Sequence, residues 1–187
     1  MAAVGPAGSD GARSWHDGLV NDYESGEVSR RIAAAPSTVY ELVTDITHTG
    51  RWAQECEACH WLDGATVAAV GTRFEGRNRF GEHTWTTVSV VDEVVPQRRF
   101  SFHTVDDSGE PITRWRFTFG AEQDFTVVAE RFERVSLPDS SERTFENNLF
   151  GGRVRHNLTN MAASLDALAA LVEATDWRAE ASLSRRL

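Results

Sequence analysis

The order of patterns along this chain predicts an α+β fold: a curved antiparallel sheet of seven strands wrapped around a long C-terminal helix, with two short helices after the first strand. Three observations carry that expectation. From about residue 57 to 135 the chain alternates apolar and polar residues, broken only by turn residues. From about 143 to 174 the apolar spacing becomes helical. A half-apolar antiparallel sheet needs a cover, and that last stretch is long enough to supply it. Such a sheet closed by one helix tends to leave a hollow.

The elements follow in order. Residues 27–34 (EVSRRIAA) read as the first strand. Pro36 sits where a helix begins, a position that tolerates its missing N–H, and Val39, Leu42, Val43 and Ile46 continue at helical spacing. Asp45 can cap a second short helix over 47–54, anchored by Trp52. Strands are expected over 58–62, 72–80, 84–94, 99–105, 112–119 and 126–135, separated by turn signals such as Asp63-Gly64, Gly81, Pro96 and the run from Asp106 to Gly109. The final helix presents Val154, Leu158, Met161, Leu165, Leu168 and Val172 as one stripe.

Composition bounds the rest. The chain has 187 residues, of which 41% are hydrophobic and 25% charged, which suits one soluble domain over 25–176. Residues 1–24, rich in Gly, Ala, Ser and Asp, read as a flexible arm, and 177–187 as a charged tail. The formal charge of -9 argues against nucleic acid or an anionic membrane as the partner. No apolar run reaches the length of a membrane span, and the first residues lack a secretory pattern, so a cytoplasmic setting without membrane insertion is expected.

Period-two alternation assigns the strand faces. The inward set is Phe74, Phe80, Trp85, Phe100, Phe102, Trp115, Phe117, Phe119 and Phe132, with Gly76, Asn78, Thr87, Ser89 and Glu130 among them. Arg73, Arg77, Arg79, Arg114 and Arg116 fall on the outer face, with Arg99, Ser101 and His103. Apolar walls with sparse polar groups describe a small-molecule pocket. The same aromatics would equally suit a filled core, and the pattern leaves both open.

Among chemical candidates, Glu130 stands out: a carboxylate between Val128 and Phe132 would be desolvated and suited to acid–base work, or else wet at an open end. Asn78, Thr87 and Ser89 could hold a ligand oxygen or make cross-strand bonds. Asn157 and Met161 would face the hollow from the last helix. His156 has a native pKa useful for proton transfer but is one position off the stripe and is expected on the helix surface; Arg153 could meet an anionic ligand at the mouth but is expected on a solvated face. The run Cys56-Glu57-Ala58-Cys59-His60 has the spacing of c-type haem attachment but lacks an exported context, and a zinc site there would lack a fourth ligand. Two ordinary thiols are expected, with no metal and no cofactor.

The segments IAAAPSTVYELVTDITHTGRW (32–52), WLDGATVAAVGTRFEGRNRFGEHTWTT (61–87), ITRWRFTF (112–119) and NMAASLDALAALVE (160–173) carry a resemblance. Over about 27–174 the chain resembles the START-like, birch-pollen-allergen-like helix-grip superfamily (SRPBCC), and within it the polyketide cyclase/dehydrase branch. The resemblance implies a cavity for a hydrophobic or polyketide-like ligand and a place in secondary metabolism; the alternation and the helix stripe would line that cavity with Phe74, Trp85, Phe100, Phe102, Trp115, Phe117, Phe132, Asn157 and Met161. Members that cyclise polyketides look as if they fold a reactive chain with help from Ser, Arg and Tyr. Here Thr87 stands in for the serine, Ser89 falls where an arginine would be wanted, and no tyrosine lies near 56–59. Three functions are therefore carried forward. The first is binding with cofactor-free cyclisation or dehydration, using Glu130, Asn78, Thr87 and Ser89. The second is carriage or sensing of a lipid-like ligand, and the third a co-chaperone-like interaction through the outer arginines. A homodimer is compatible with any of them.

Overall fold

A computed structural model of the protein describes residues 25–136 and 138–174. The arm expected over 1–24 and the tail over 177–187 lie outside the described residues. β1 (Ser25–Ile32) leads into α1 (Pro36–Thr44) and a 3-10 helix (Ile46–Arg51). Then come β2 (Cys56–Trp61), β3 (Arg73–Phe80), β4 (His83–Val95), β5 (Arg99–Val105), β6 (Pro111–Glu122) and β7 (Phe125–Arg134). α2 (Ser140–Phe150) and α3 (Arg153–Glu173) complete the described chain. The strands form one sheet in the order β1-β7-β6-β5-β4-β3-β2. Every neighbouring pair is antiparallel, so the expected curved seven-stranded sheet with its C-terminal helix is present.

Local chemistry explains the early elements. Pro36 occupies the first turn of α1, whose Val39, Leu42 and Val43 are buried. The second helix is shorter and tighter than the one expected over 47–54; Asp45 caps it by accepting from the Thr47 N–H at 3.3 Å. Trp52 is buried as the anchor, its ring 6.1 Å from Phe117 in an edge-on contact. β2 begins two residues earlier than the strand expected from 58, because an irregularity between Cys56 and Ala58 lets both sides of it pair with β3.

The single helix expected over 143–174 is two helices. Gly151 (φ 66°) and Gly152 (φ 113°) adopt left-handed backbone that breaks the helical run between Phe150 and Arg153. α2 starts earlier, at Ser140, capped by Asp139, whose side chain accepts from the Ser141 and Glu142 N–H groups while Glu142 accepts from Asp139 N–H at 2.9 Å. α2 has no fully buried residue, so no apolar stripe announced it. With no core face to hold it, α2 depends on this cap. Asp139→Ala is expected to destabilise α2 locally, through the loss of both capping bonds. Amide exchange at Ser141–Arg143 should speed up while α3 stays protected; equal acceleration in both helices would refute this.

The packed half of the core lies between α1, α3 and the β1–β7 end of the sheet. Ile32, Val39, Leu42, Val128, Leu165 and Leu168 are all but inaccessible there. Long-range bonds hold α3 in place: Ala33 N–H donates to Glu173 at 2.8 Å, and Gln54 N–H to Ser164 Oγ at 3.0 Å. On the outer face Arg73 pairs with Asp63, Arg77 and Arg79 with Glu57, and Arg114 with Asp92. Most of the outer arginines thus balance local acids. Ser101 and His103 are less exposed than an outer face suggests: Ser101 is buried, and His103 Nδ1 lies 2.7 Å from Asp92 beside the β4 bulge.

Candidate functional site

The other half is hollow. A cavity of about 720 Å³ lies between the concave sheet face, the 3-10 segment and the two C-terminal helices. The space follows from residue size. Gly76, Thr87 and Ser89 line it from β3 and β4, and Asn157 and Ser164 face them from α3, so the middle of the grip is filled by small side chains. Phe74, Trp85, Phe100, Phe102, Trp115, Phe117 and Met161 form apolar walls around them. The filled-core alternative is set aside by this hollow.

Most of the expected residues line the cavity, including Glu130, Asn78, Thr87, Ser89 and Asn157. Three aromatics assigned inward do not. Phe132 is fully buried but packs on Trp115 at 5.7 Å and beside Gly26, within the seam between β7 and β1. Phe119 turns to Tyr40 of α1 at 5.3 Å. Phe80, at the sheet's far end, is 37% exposed and meets Phe150 and His156. Alternation assigns a face correctly, but the same face runs past the hollow at both ends.

The polar groups form three separate clusters. In the first, Asn78 Nδ2 donates to Thr87 Oγ1 at 3.2 Å and to Gly76 O at 3.3 Å. A Cβ at Gly76 would only reach van der Waals contact with Cys59 Sγ and Thr87 Oγ1, each 3.4 Å away. Cys56 and Cys59 are free thiols with sulfurs 3.1 Å apart. Their hydrogen bond lowers the pKa of Cys56 and raises that of Cys59, which burial raises further. Cys59 lines the cavity, whereas His60 is exposed on the other side of the strand near Glu75.

The second cluster is Glu130 alone. It stands opposite Val28 on β1 and Phe117 on β6, is buried, and its Oε2 has no hydrogen-bond partner. Burial pushes its pKa up to about 8, so the carboxyl is largely protonated at neutral pH. Glu130 is thus not wired to the Asn78–Thr87 pair.

The third cluster was not anticipated. Glu55, between the 3-10 helix and β2, is hydrogen-bonded to His156 Nε2 and accepts from Asn160 Nδ2 at 2.9 Å. Its other oxygen lies 3.5 Å from Arg153 Nη2. Arg134 Nη1 pairs with Glu146 at 2.6 Å beside them. The expectations of a surface His156 and a solvated Arg153 are corrected. The His156 ring lies between Phe80 and Phe150, with centroids 4.5 and 4.6 Å away, and its side chain is 8% exposed. Arg153 lies 4.2 Å over the Phe150 ring, and desolvation lowers its pKa. The break at Gly151-Gly152 places α2 and Phe150 over these residues. One signal was present in sequence: the first turn of α3 reads Arg-Val-Arg-His, the wrong sign for the positive end of a helix.

The family model described as polyketide cyclase / dehydrase and lipid transport matches residues 24–173. A search of curated proteins finds no match. Among solved structures, a Nitrosomonas europaea protein is 11% identical with a TM-score of 0.61, over 81% of this chain and 95% of that one. A Chromobacterium violaceum protein is 19% identical with a TM-score of 0.61, over 80% of this chain and 98% of that one. The Aha1 dimer of Colwellia psychrerythraea is 15% identical with a TM-score of 0.54, over 80% of this chain and 96% of that one. At these identities the likeness is one of fold.

Proposed function

The chain belongs to the polyketide cyclase / dehydrase and lipid transport family, and on that premise we propose that it binds a hydrophobic, polyketide-like small molecule in the internal cavity. The observation that carries the reading is the hollow itself. At about 720 Å³ it is within the range of ligand pockets, walled by aromatics and marked by a few inward polar groups. No helix among the described residues is long and apolar enough to cross a membrane.

In this reading the walls fold the ligand and the polar clusters fix its oxygens. Glu130, largely neutral at neutral pH, donates to a ligand carbonyl or hydroxyl and supplies a proton for a cofactor-free cyclisation or dehydration. Asn78 and Thr87 hold a second oxygen. Carriage without chemistry is the second reading, favoured because no base is hydrogen-bonded to Glu130 Oε2.

Binding is tested by native mass spectrometry of the purified protein and by titration with N-phenyl-1-naphthylamine, a neutral apolar fluorophore. A co-purified apolar molecule, or saturable uptake of the fluorophore, is expected. A clean apo mass with no uptake would sink the cavity reading and return attention to the outer face. Once a ligand is identified by extraction, Glu130→Gln separates the two readings. An enzyme using Glu130 as proton donor should lose about 100-fold or more in turnover, whereas a carrier should keep its affinity within a few-fold.

A further inference from the structure

The third cluster breaks two rules of stability at once. Basic residues occupy the first turn of α3 with no acid among them, although the N-terminal end of a 21-residue helix carries partial positive charge. That end has no side-chain cap, since Gly152 precedes it. Arg153, on this turn, lines the cavity, and its Nη1 is buried without a hydrogen-bond partner. Arg134 lines the same cavity and is paired with Glu146.

Glu55 and Glu146 both act on the charge of Arg153, but neither bonds its buried Nη1. Glu146 is held by Arg134. Glu55 is shared among His156, Asn160 and Arg153, and its contact with Arg153 is the longest of the three. Glu142, at the rim, is bonded to the Asp139 N–H. An uncapped helix start and the buried, unbonded Nη1 of Arg153 in the cavity wall together form a place for an anionic oxygen.

We infer that this end of the cavity holds the carboxylate of the ligand, seated on Arg153 and the α3 N-terminus, so that the protein selects apolar carboxylic acids over their neutral counterparts. The inference rests on the cavity reading above and adds the ligand's chemical class. A planar carboxylate matches the guanidinium edge, while the apolar body lies against Trp85 and Phe102.

The test compares cis-parinaric acid with its methyl ester, each titrated by fluorescence at pH 7.5 and low salt, with N-phenyl-1-naphthylamine as a neutral control. The acid should bind about tenfold tighter than the ester. Arg153→Gln should bring the acid down to the affinity of the ester, and Arg153→Lys should recover part of the difference. Equal affinity for acid and ester in the wild-type protein overturns the inference but leaves the cavity reading intact, provided the neutral control binds. An acid preference that survives in Arg153→Gln removes Arg153 from the role. Failure of all three probes overturns the cavity reading and this inference with it. The wild-type comparison stands even if a variant folds poorly.

Discussion

At pH 9 the Glu130→Gln protein is expected to resist urea better than the wild-type protein, and at pH 5 the two should unfold at similar concentrations. The reason is the burial of Glu130 between β1 and β6, which pushes its pKa from the ordinary 4.5 up to about 8. Between those values the folded protein holds a proton that the unfolded chain has released. Stability from this group is therefore complete below about pH 4.5 and is lost progressively as pH rises to about 8. The accumulated loss is on the order of 4 kcal/mol, a large part of a domain's total stability. Glutamine keeps the shape and the donor but cannot ionise, so its pH profile should lack this decline. Subtracting the two profiles isolates Glu130 from every other titrating group. Superimposable profiles from pH 5 to 9 would mean that Glu130 is solvated, and the proton-donor role would lose its physical basis.

Gly50→Ala is expected to destabilise the fold by about 3 kcal/mol, although Gly50 itself is exposed. Exposed substitutions usually change stability by no more than ~0.5 kcal/mol. Here the added Cβ would lie 2.1 Å from the Glu57 carbonyl oxygen and 2.7 Å from its carbon. Both belong to the β2 backbone, so no side-chain rotation can relieve the clash. Either the 3-10 helix or the edge strand must move, and both carry cavity-lining residues, Thr49 and Cys59 among them. The control is Gly120→Ala on β6, where the nearest atom to a new Cβ is 3.8 Å away. That variant should stay within about 1 kcal/mol of the wild type. Matching urea midpoints for the two variants would show that the 3-10 helix accommodates the methyl group.

The elements themselves were largely legible. Pro36, Asp45, the alternation of the strands and the stripe on the last helix each act over a few residues, so each leaves a local pattern. α2 escaped because it buries no residue completely; only its capping residues, Asp139 and Glu142, betray it. The inward faces of β3 to β6 were readable for the same reason as the strands, since side-chain direction follows from alternation alone. Phe132 marks the limit: alternation gives its side of the sheet but not whether that part of the sheet faces a hollow or the seam with β1.

Local pattern was enough to give the sheet, its apolar face, the covering helix and the side of the sheet on which Glu130 lies. That the grip is hollow, and that its polar groups stand in three clusters, emerges only from the folded chain. The physical reason is distance along the chain. Hollow or filled depends on how far small residues on β3 and β4 stand from small residues on α3, a spacing set by sheet curvature and not by any local run. Glu55 meets His156 across 101 positions and Asn160 across 105, and neither partner has a reason to be polar until the fold brings them together.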